Sequence, residues 1–316
     1  MFINLLLLII GFIILIKGAD FFVDGASSIA GNLKISKILI GLTIVAFGTS
    51  APEFAVSVKS LLSNNGDIVL GNVIGSNILN ILLILGVSSM FHYLEVKNNT
   101  VKKELPITLL ISTLFAVLLS DSLFDNVSNK LTRSDGVVLS LFFLIFIYYL
   151  ISIARNKIED EHETYLSIPK SILYTIGGII AIVLGSNLVV ENASSLATAL
   201  GVSKKMISLT IIALGTSLPE LVTSVTATKK GEYDIAIGNI VGSNLFNIGI
   251  VLGLPIAVLG GINKISFNYI DLFVLLLSTL LLFIFSYNDR KISKKEGIIF
   301  LLLFQIYYTY VIYTGV

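Results

Sequence analysis

The chain has 316 residues, 55% of them hydrophobic and only 13% charged, with a mean hydropathy of +0.94 and a formal net charge of +1. Apolar segments of about 20 residues recur from end to end, which predicts an all-α polytopic protein of the lipid bilayer. They do not alternate with a period of two, so a membrane β-barrel is not expected. Cysteine is absent, which excludes disulfide, Fe–S and thiolate chemistry. The two histidines, His92 and His162, fall in polar connections, so soft or imidazole ligands for Zn²⁺ or Cu⁺ are missing at membrane depth. Oxygen ligands are plentiful there and suit Ca²⁺, Mg²⁺ or alkali cations. The net charge identifies no partner, and no nucleic-acid partner is expected.

In chain order, ten spans are predicted: 2–29, 35–62, 68–90, 105–121, 134–153, 170–198, 204–228, 234–259, 268–287 and 295–313. The first apolar run has no basic region before Lys17 and continues into polar helix, so a cleaved signal peptide is not expected. The longest polar connection, 154–168, carries the acidic run 159–163 and divides the spans into two sets of five. The expected organisation is a first half, 1–153, a cytoplasmic linker, 154–169, and a second half, 170–316.

The halves are related. Residues 48–53 read Gly-Thr-Ser-Ala-Pro-Glu, and residues 215–220, 167 positions later, read Gly-Thr-Ser-Leu-Pro-Glu. At that offset 18–82 aligns with 185–249 without a gap, pairing Gly71-Asn72 with Gly238-Asn239, Gly75-Ser76-Asn77 with Gly242-Ser243-Asn244, and Asn80 with Asn247. An odd number of spans per half makes the second copy cross the membrane in the opposite sense, the construction of many secondary transporters. Duplication of a mere packing unit would not concentrate the identities on polar intramembrane residues. Fourteen basic residues, among them Lys34, Lys97 and Lys230, fall in one set of connections and six, among them Lys59 and Lys130, in the other. This places the first set in the cytoplasm and both termini outside.

Each copy sets a glutamate inside an apolar run, where an acidic side chain costs roughly 2.5–3.5 kcal/mol on insertion scales. Pro52 and Pro219 lack an N–H and clash with the carbonyl four residues back, so the carbonyls of 46–50 and 213–217 are expected to be freed. Thr49 and Glu53, at i and i+4, are expected to share a helix face. The following span adds Asn72, Ser76 and Asn80 at i, i+4 and i+8, repeated as Asn239, Ser243 and Asn247. Taken alone, a Gly-Thr-Ser-x-Pro turn is a structural kink and Gly-x-x-x-Gly is ordinary helix packing. The duplicated intramembrane glutamate makes hard-cation binding the stronger reading. Lys17, Asp20 and Asp24, near one end of the first span, read as snorkelling or solvated, and 159–163 as a solvated linker.

On these motifs the chain resembles the Ca²⁺/cation antiporter superfamily, most closely its archaeal sodium/calcium exchanger branch, over essentially its whole length. The resemblance implies α-repeats at 35–90 and 204–259, ten helices, and coordinating positions at Ala46, Thr49, Ser50, Glu53, Ser76 and Asn80, then Ala213, Thr216, Ser217, Glu220, Ser243 and Asn247. The glutamates and threonine carbonyls would hold Ca²⁺; the four serines and the carbonyls of Ala46 and Ala213 would complete flanking Na⁺ sites. Spans 2–29 and 170–198 would be the sliding gate pair. Asn247 stands where some archaeal members and the potassium-dependent branch carry aspartate, so the resemblance implies potassium independence. It further implies a monomeric antiporter of the cell membrane with no cofactor, extruding Ca²⁺ against Na⁺. Two other readings are a Ca²⁺/H⁺ antiporter of the same fold and a cation channel. An enzyme is not expected, since no histidine or second base accompanies Ser50 or Ser217.

Overall fold

The computed structural model describes residues 1–124, 127–154, 165–202, 207, 210–211, 213–263, 265 and 267–314. Most of the expected linker, including 159–163 and His162, lies outside the described residues, as does the start of the seventh expected span. The described chain is almost wholly helical: α1 Phe2–Leu33, α2 Lys37–Thr49, α3 Ala51–Leu62, α4 Gly66–Phe91, α5 Leu105–Leu118, α6 Arg133–Ala154, α7 Ile168–Ala199, α8 Ala213–Thr216, α9 Leu218–Lys229, α10 Tyr233–Leu259, α11 Tyr269–Asp289 and α12 Lys294–Thr314. Seven of these are long and apolar enough to cross a membrane, and the α2–α3 pair makes an eighth when counted as one bent span. Of the other expected spans, 105–121 is represented by the fourteen-residue α5, entered through a π turn at Thr100–Glu104, and 204–228 by α8 and α9.

Burial explains the layout. Every residue of Ile235–Phe246 in α10 is buried, and α4 is nearly as enclosed, so these two helices form the centre. Around them α11 and α12 pack on α4, α6 packs on α10, and α5 packs on α11 and α6. Leucine, isoleucine and phenylalanine cover the outward faces of α1, α6, α7 and α12, as lipid-facing helices require. The result is an all-helical, multi-pass membrane protein.

The helices α1 and α7 form the most extensive pair, and small residues at seven-residue intervals bring them together. Gly11, Gly18 and Gly25 of α1 face Ser171, Gly178 and Gly185 of α7, all buried. A Cβ at Gly18 would lie 2.8 Å from Ala181 Cβ, and one at Gly178 would lie 2.6 Å from the Phe22 nitrogen. Between lipid-soluble helices close backbone approach is the main source of attraction, so this smooth seam holds without interlocking side chains. Two short strands, β1 Leu94–Glu95 and β2 Lys291–Ile292, pair antiparallel, and a single bridge joins Leu131 to Ile262.

Candidate ion-binding site

The first site element is the bend between α2 and α3. Proline is tolerated in the first turn of a helix, where its missing N–H has no partner to lose. The chain therefore leaves helical geometry just before it, at Ser50 (φ −84°, ψ 8°), and restarts, turning the axis by 47°. Ser217 does the same ahead of Pro219 (φ −89°, ψ 4°). Glu53 and Glu220 are thus placed in the first turn of α3 and of α9, where the helix dipole favours negative charge. The expected shared face of Thr49 and Glu53 is interrupted, because the bend falls between them: Thr49 closes α2 and Glu53 opens α3.

The freed carbonyls are fewer than expected. The Ala46 carbonyl accepts from the Ser50 N–H at 3.0 Å and from the Thr49 hydroxyl at 3.3 Å, and the Ser50 carbonyl accepts from the Phe54 N–H at 3.1 Å. Ser217 likewise accepts from Leu221 at 3.0 Å. The Ser50 and Ser217 carbonyls each keep a second lone pair for a cation, and the Ala46 carbonyl does so when the single Thr49 hydroxyl proton goes to Asn239 instead.

Asparagines tie each bend to the helix that follows. Asn72 donates to the Glu53 carbonyl at 3.1 Å and to the Ser57 hydroxyl at 3.3 Å. Asn239 donates to the Glu220 carbonyl at 3.4 Å and to the Ser224 hydroxyl at 2.9 Å. The halves then meet side chain to side chain. The Ser50 hydroxyl donates to Glu220 Oε1 at 2.9 Å and lies 3.0 Å from Ser243 Oγ. The Thr49 hydroxyl lies 3.0 Å from Asn239 Oδ1, and Ser217 donates to Ser76 at 3.3 Å. Glu53 is close enough to Glu220 for their charges to interact, and lies beside Ser217.

All of Thr49, Ser50, Glu53, Ser76, Asn80, Ser217, Glu220, Ser243 and Asn247 are buried. Five buried oxygens among them have no hydrogen-bond partner among the described residues: both of Glu53, Oε2 of Glu220, and the Oδ1 atoms of Asn80 and Asn247. A buried acceptor without a donor is costly, and a buried carboxylate more so, unless a cation takes the donor's place. Two carboxylates, two amide oxygens and several hydroxyls make an oxygen-only donor set suited to a hard cation or to several smaller ones. Thr216 is only partly buried, and Ala46 and Ala213 sit on α2 and α8 at the start of each bend.

The asparagines Asn77 and Asn244, and the serines Ser57 and Ser224, join this network without having been among the expected site residues. Their signal was available, since each recurs at the 167-residue offset. On the lysine-rich face, Glu232 accepts from Ser27 at 2.7 Å and pairs with Lys37 at 3.1 Å, while Lys230 pairs with Asp24 at 2.7 Å and Asp20 at 3.6 Å. Lys97 pairs with Asp234. Asp20 and Asp24 are thus surface ion-pair partners.

Among the described residues, this network is closely packed on the α10 side. Gly238, Asn239 and Gly242 are buried, and a Cβ at Gly242 would meet Ala46 Cβ at 2.7 Å. Their counterparts Gly71, Asn72 and Gly75 are exposed or half-buried, and no described residue would come within 4 Å of a Cβ at Gly71 or Gly75.

The chain is similar to known proteins over nearly its whole length. The sodium/calcium exchanger protein family matches residues 3–152 and 170–313. A putative antiporter, CaxA, of Alkalimonas amylolytica is 36% identical over the full length of both chains. The sodium/calcium exchanger MaX1 of Methanosarcina acetivorans is 31% identical over 96% of each chain. Among solved structures, the sodium-calcium exchanger NCX_Mj soaked with Na⁺ and Sr²⁺ superposes with a TM-score of 0.85 at 33% identity, covering 96% of this chain and 97% of that one. With both halves matched and relatives of this identity and coverage, the chain belongs to the sodium/calcium exchanger family.

Proposed function

We propose that this antiporter exchanges Na⁺ for Ca²⁺ by alternating access, with Ca²⁺ held between Glu53 and Glu220. The observation that carries this is the pairing of a cross-half contact, Ser50 on Glu220, with carboxylate oxygens that have no donor among the described residues. The Thr49 and Thr216 carbonyls complete the Ca²⁺ ligands. Ser50, Ser76, Ser217 and Ser243 and the carbonyls of Ala46 and Ala213 serve Na⁺, and Asn80 and Asn247 supply neutral oxygens at the centre. Two ionised carboxylates in a poorly solvated cleft resist reorientation of the unloaded carrier. One Ca²⁺ or several Na⁺ neutralise them, which couples the two fluxes.

The proposed frame is ten spans in two inverted halves, 1–153 and 170–316, joined by a cytoplasmic linker, with both termini outside. The recurrence of the β contacts supports it: Glu95 lies in a ribbon with β2, and Ile262, 167 positions on, pairs with Leu131. The protein works as a monomer in the cell membrane and moves Ca²⁺ outward, with α1 and α7 sliding as the gate. Proteoliposomes test the exchange directly. Ca²⁺ uptake should require internal Na⁺; uptake driven equally well by a pH gradient alone would make the protein a Ca²⁺/H⁺ antiporter, and flux that does not saturate would make it a channel.

A further inference from the structure

Four asparagines meet where the central helices α4 and α10 cross, and their bonding is reciprocal. The Asn77 side-chain amide donates to the Asn244 carbonyl at 3.4 Å, and the Asn244 amide donates to the Asn77 carbonyl at 3.3 Å. This leaves each of their side-chain oxygens to accept from another asparagine. Asn247 Nδ2 donates to Asn77 Oδ1 at 3.1 Å, and Asn80 Nδ2 donates to Asn244 Oδ1 at 2.9 Å. All four amide nitrogens are therefore engaged inside the ring. The atoms left over are Oδ1 of Asn80 and Oδ1 of Asn247, both buried and without a partner among the described residues.

The polarity of the ring is anchored by the backbone. An asparagine amide has donors at one end and acceptors at the other, and its outline is nearly unchanged by a half-turn, so packing alone does not orient it. A carbonyl can only accept, so it forces Asn77 and Asn244 to present nitrogen to it and oxygen to the next amide. Reversing either one would set oxygen against oxygen and break two bonds. The carbonyls are offered just ahead of the change from α to π winding, which begins at Asn80 in α4 and at Asn247 in α10. Insertion of a π turn into an α helix disturbs the regular i+4 donors of the preceding turn and is common at functional sites.

We infer that Asn77 and Asn244 are positioning residues that fix the amides of Asn247 and Asn80, so that only oxygen faces the transported cation. This deepens the exchange reading above and rests on it. The pairing crosses the halves: Asn77 of α4 orients Asn247 of α10, and Asn244 of α10 orients Asn80 of α4. Each half thus sets the ligand that the other half presents.

The test uses the full-length protein in proteoliposomes and reads KM for Ca²⁺ and maximal rate of Na⁺-driven uptake. Asn77→Ala should raise KM roughly tenfold, more than it lowers the maximal rate, because a released Asn247 amide presents N–H as readily as oxygen. A carboxylate has oxygen at both ends and needs no orienting. In an Asn247→Asp background, adding Asn77→Ala should therefore change KM less than about twofold, a non-additivity expected only of coupled neighbours. In an Asn80→Asp background, Asn77→Ala should keep its full effect. Asn244→Ala should show the mirror pattern, suppressed by Asn80→Asp and not by Asn247→Asp, and carries the test if Asn77→Ala is not recovered folded. Additive effects, or suppression that ignores the pairing, would overturn the inference while wild-type exchange stands. Absence of Na⁺-driven uptake in the wild type would overturn the exchange reading and this inference with it.

Discussion

Two crossings in this molecule are written in nearly the same residues, α2 against α10 and α8 against α4. At one, α2 lies against α10, and Gly238 and Gly242 let the backbones touch: a Cβ at Gly238 would come within 2.8 Å of the Ile38 carbonyl. At the other, Gly71 and Gly75 of α4 hold the corresponding positions, and most of 203–212, the segment that repeats the part of α2 packed on Gly238 and Gly242, lies outside the described residues. The ion pairs of Lys37 with Glu232 and of Lys230 with Asp24 gather on the closed side. The first crossing is closed. A carrier with two access states needs paired crossings of like local chemistry, because each must be able to close when its counterpart opens.

The comparison can be broken most decisively at what the crossings share. Glu53→Gln and Glu220→Gln should each lower Na⁺-driven Ca²⁺ uptake by about a hundredfold or more, since each removes one of two charges facing a divalent ion. Both variants should still elute as monodisperse protein in detergent; near-normal uptake in either would defeat the site assignment.

Next in size is the packed glycine of the first crossing. Gly242→Val drives methyl groups into Leu42 backbone atoms already 2.8 Å from an ideal Cβ. It should destabilise the protein by about 1–3 kcal/mol, seen as a lower melting temperature in detergent. An unchanged melting temperature would show that this close approach is not needed.

A smaller effect is expected at the ion pairs. Glu232→Gln weakens the contacts to Lys37 and Ser27, which at this partial exposure are together worth on the order of 1 kcal/mol. A cysteine placed at buried Ser224, in a chain otherwise free of cysteine, should then react with a maleimide about fivefold faster. Unchanged labelling would show that these pairs do not hold the closed side shut. The mildest change is Asn247→Asp, which adds a titratable group to the site. Uptake should acquire a dependence on pH, falling as the pH falls and the new carboxylate is protonated. An uptake–pH curve identical to wild type would show that position 247 does not face the ion.

Much of the candidate site could be named because duplication marks it. Glu53 and Glu220, the serines at 50, 76, 217 and 243, and the asparagines at 80 and 247 could all be named, since polar groups inside apolar runs are expensive and these recur. Asn77 and Asn244 recur just as clearly, but the pattern does not distinguish a ligand from the residue that orients it. The shared face of Thr49 and Glu53 was misplaced because helical periodicity assumes a continuous axis, and the axis bends between them. The carbonyls of Ala46 and Ser50 were expected to be free because proline removes a donor. The structure restores their partners through the Ser50 and Phe54 amides, a local adjustment that composition does not encode.

The sequence by itself determined that this is a helical membrane protein whose costly polar residues come in two related sets. Hydropathy and repetition act along one chain and need no knowledge of neighbours. Only the tertiary structure decided that Ser50 serves Glu220, that Asn77 faces Asn247, and that Gly242 packs against Ala46. Those facts depend on which helix of one half lies against which helix of the other. Two copies of one pattern carry no local information about how they meet.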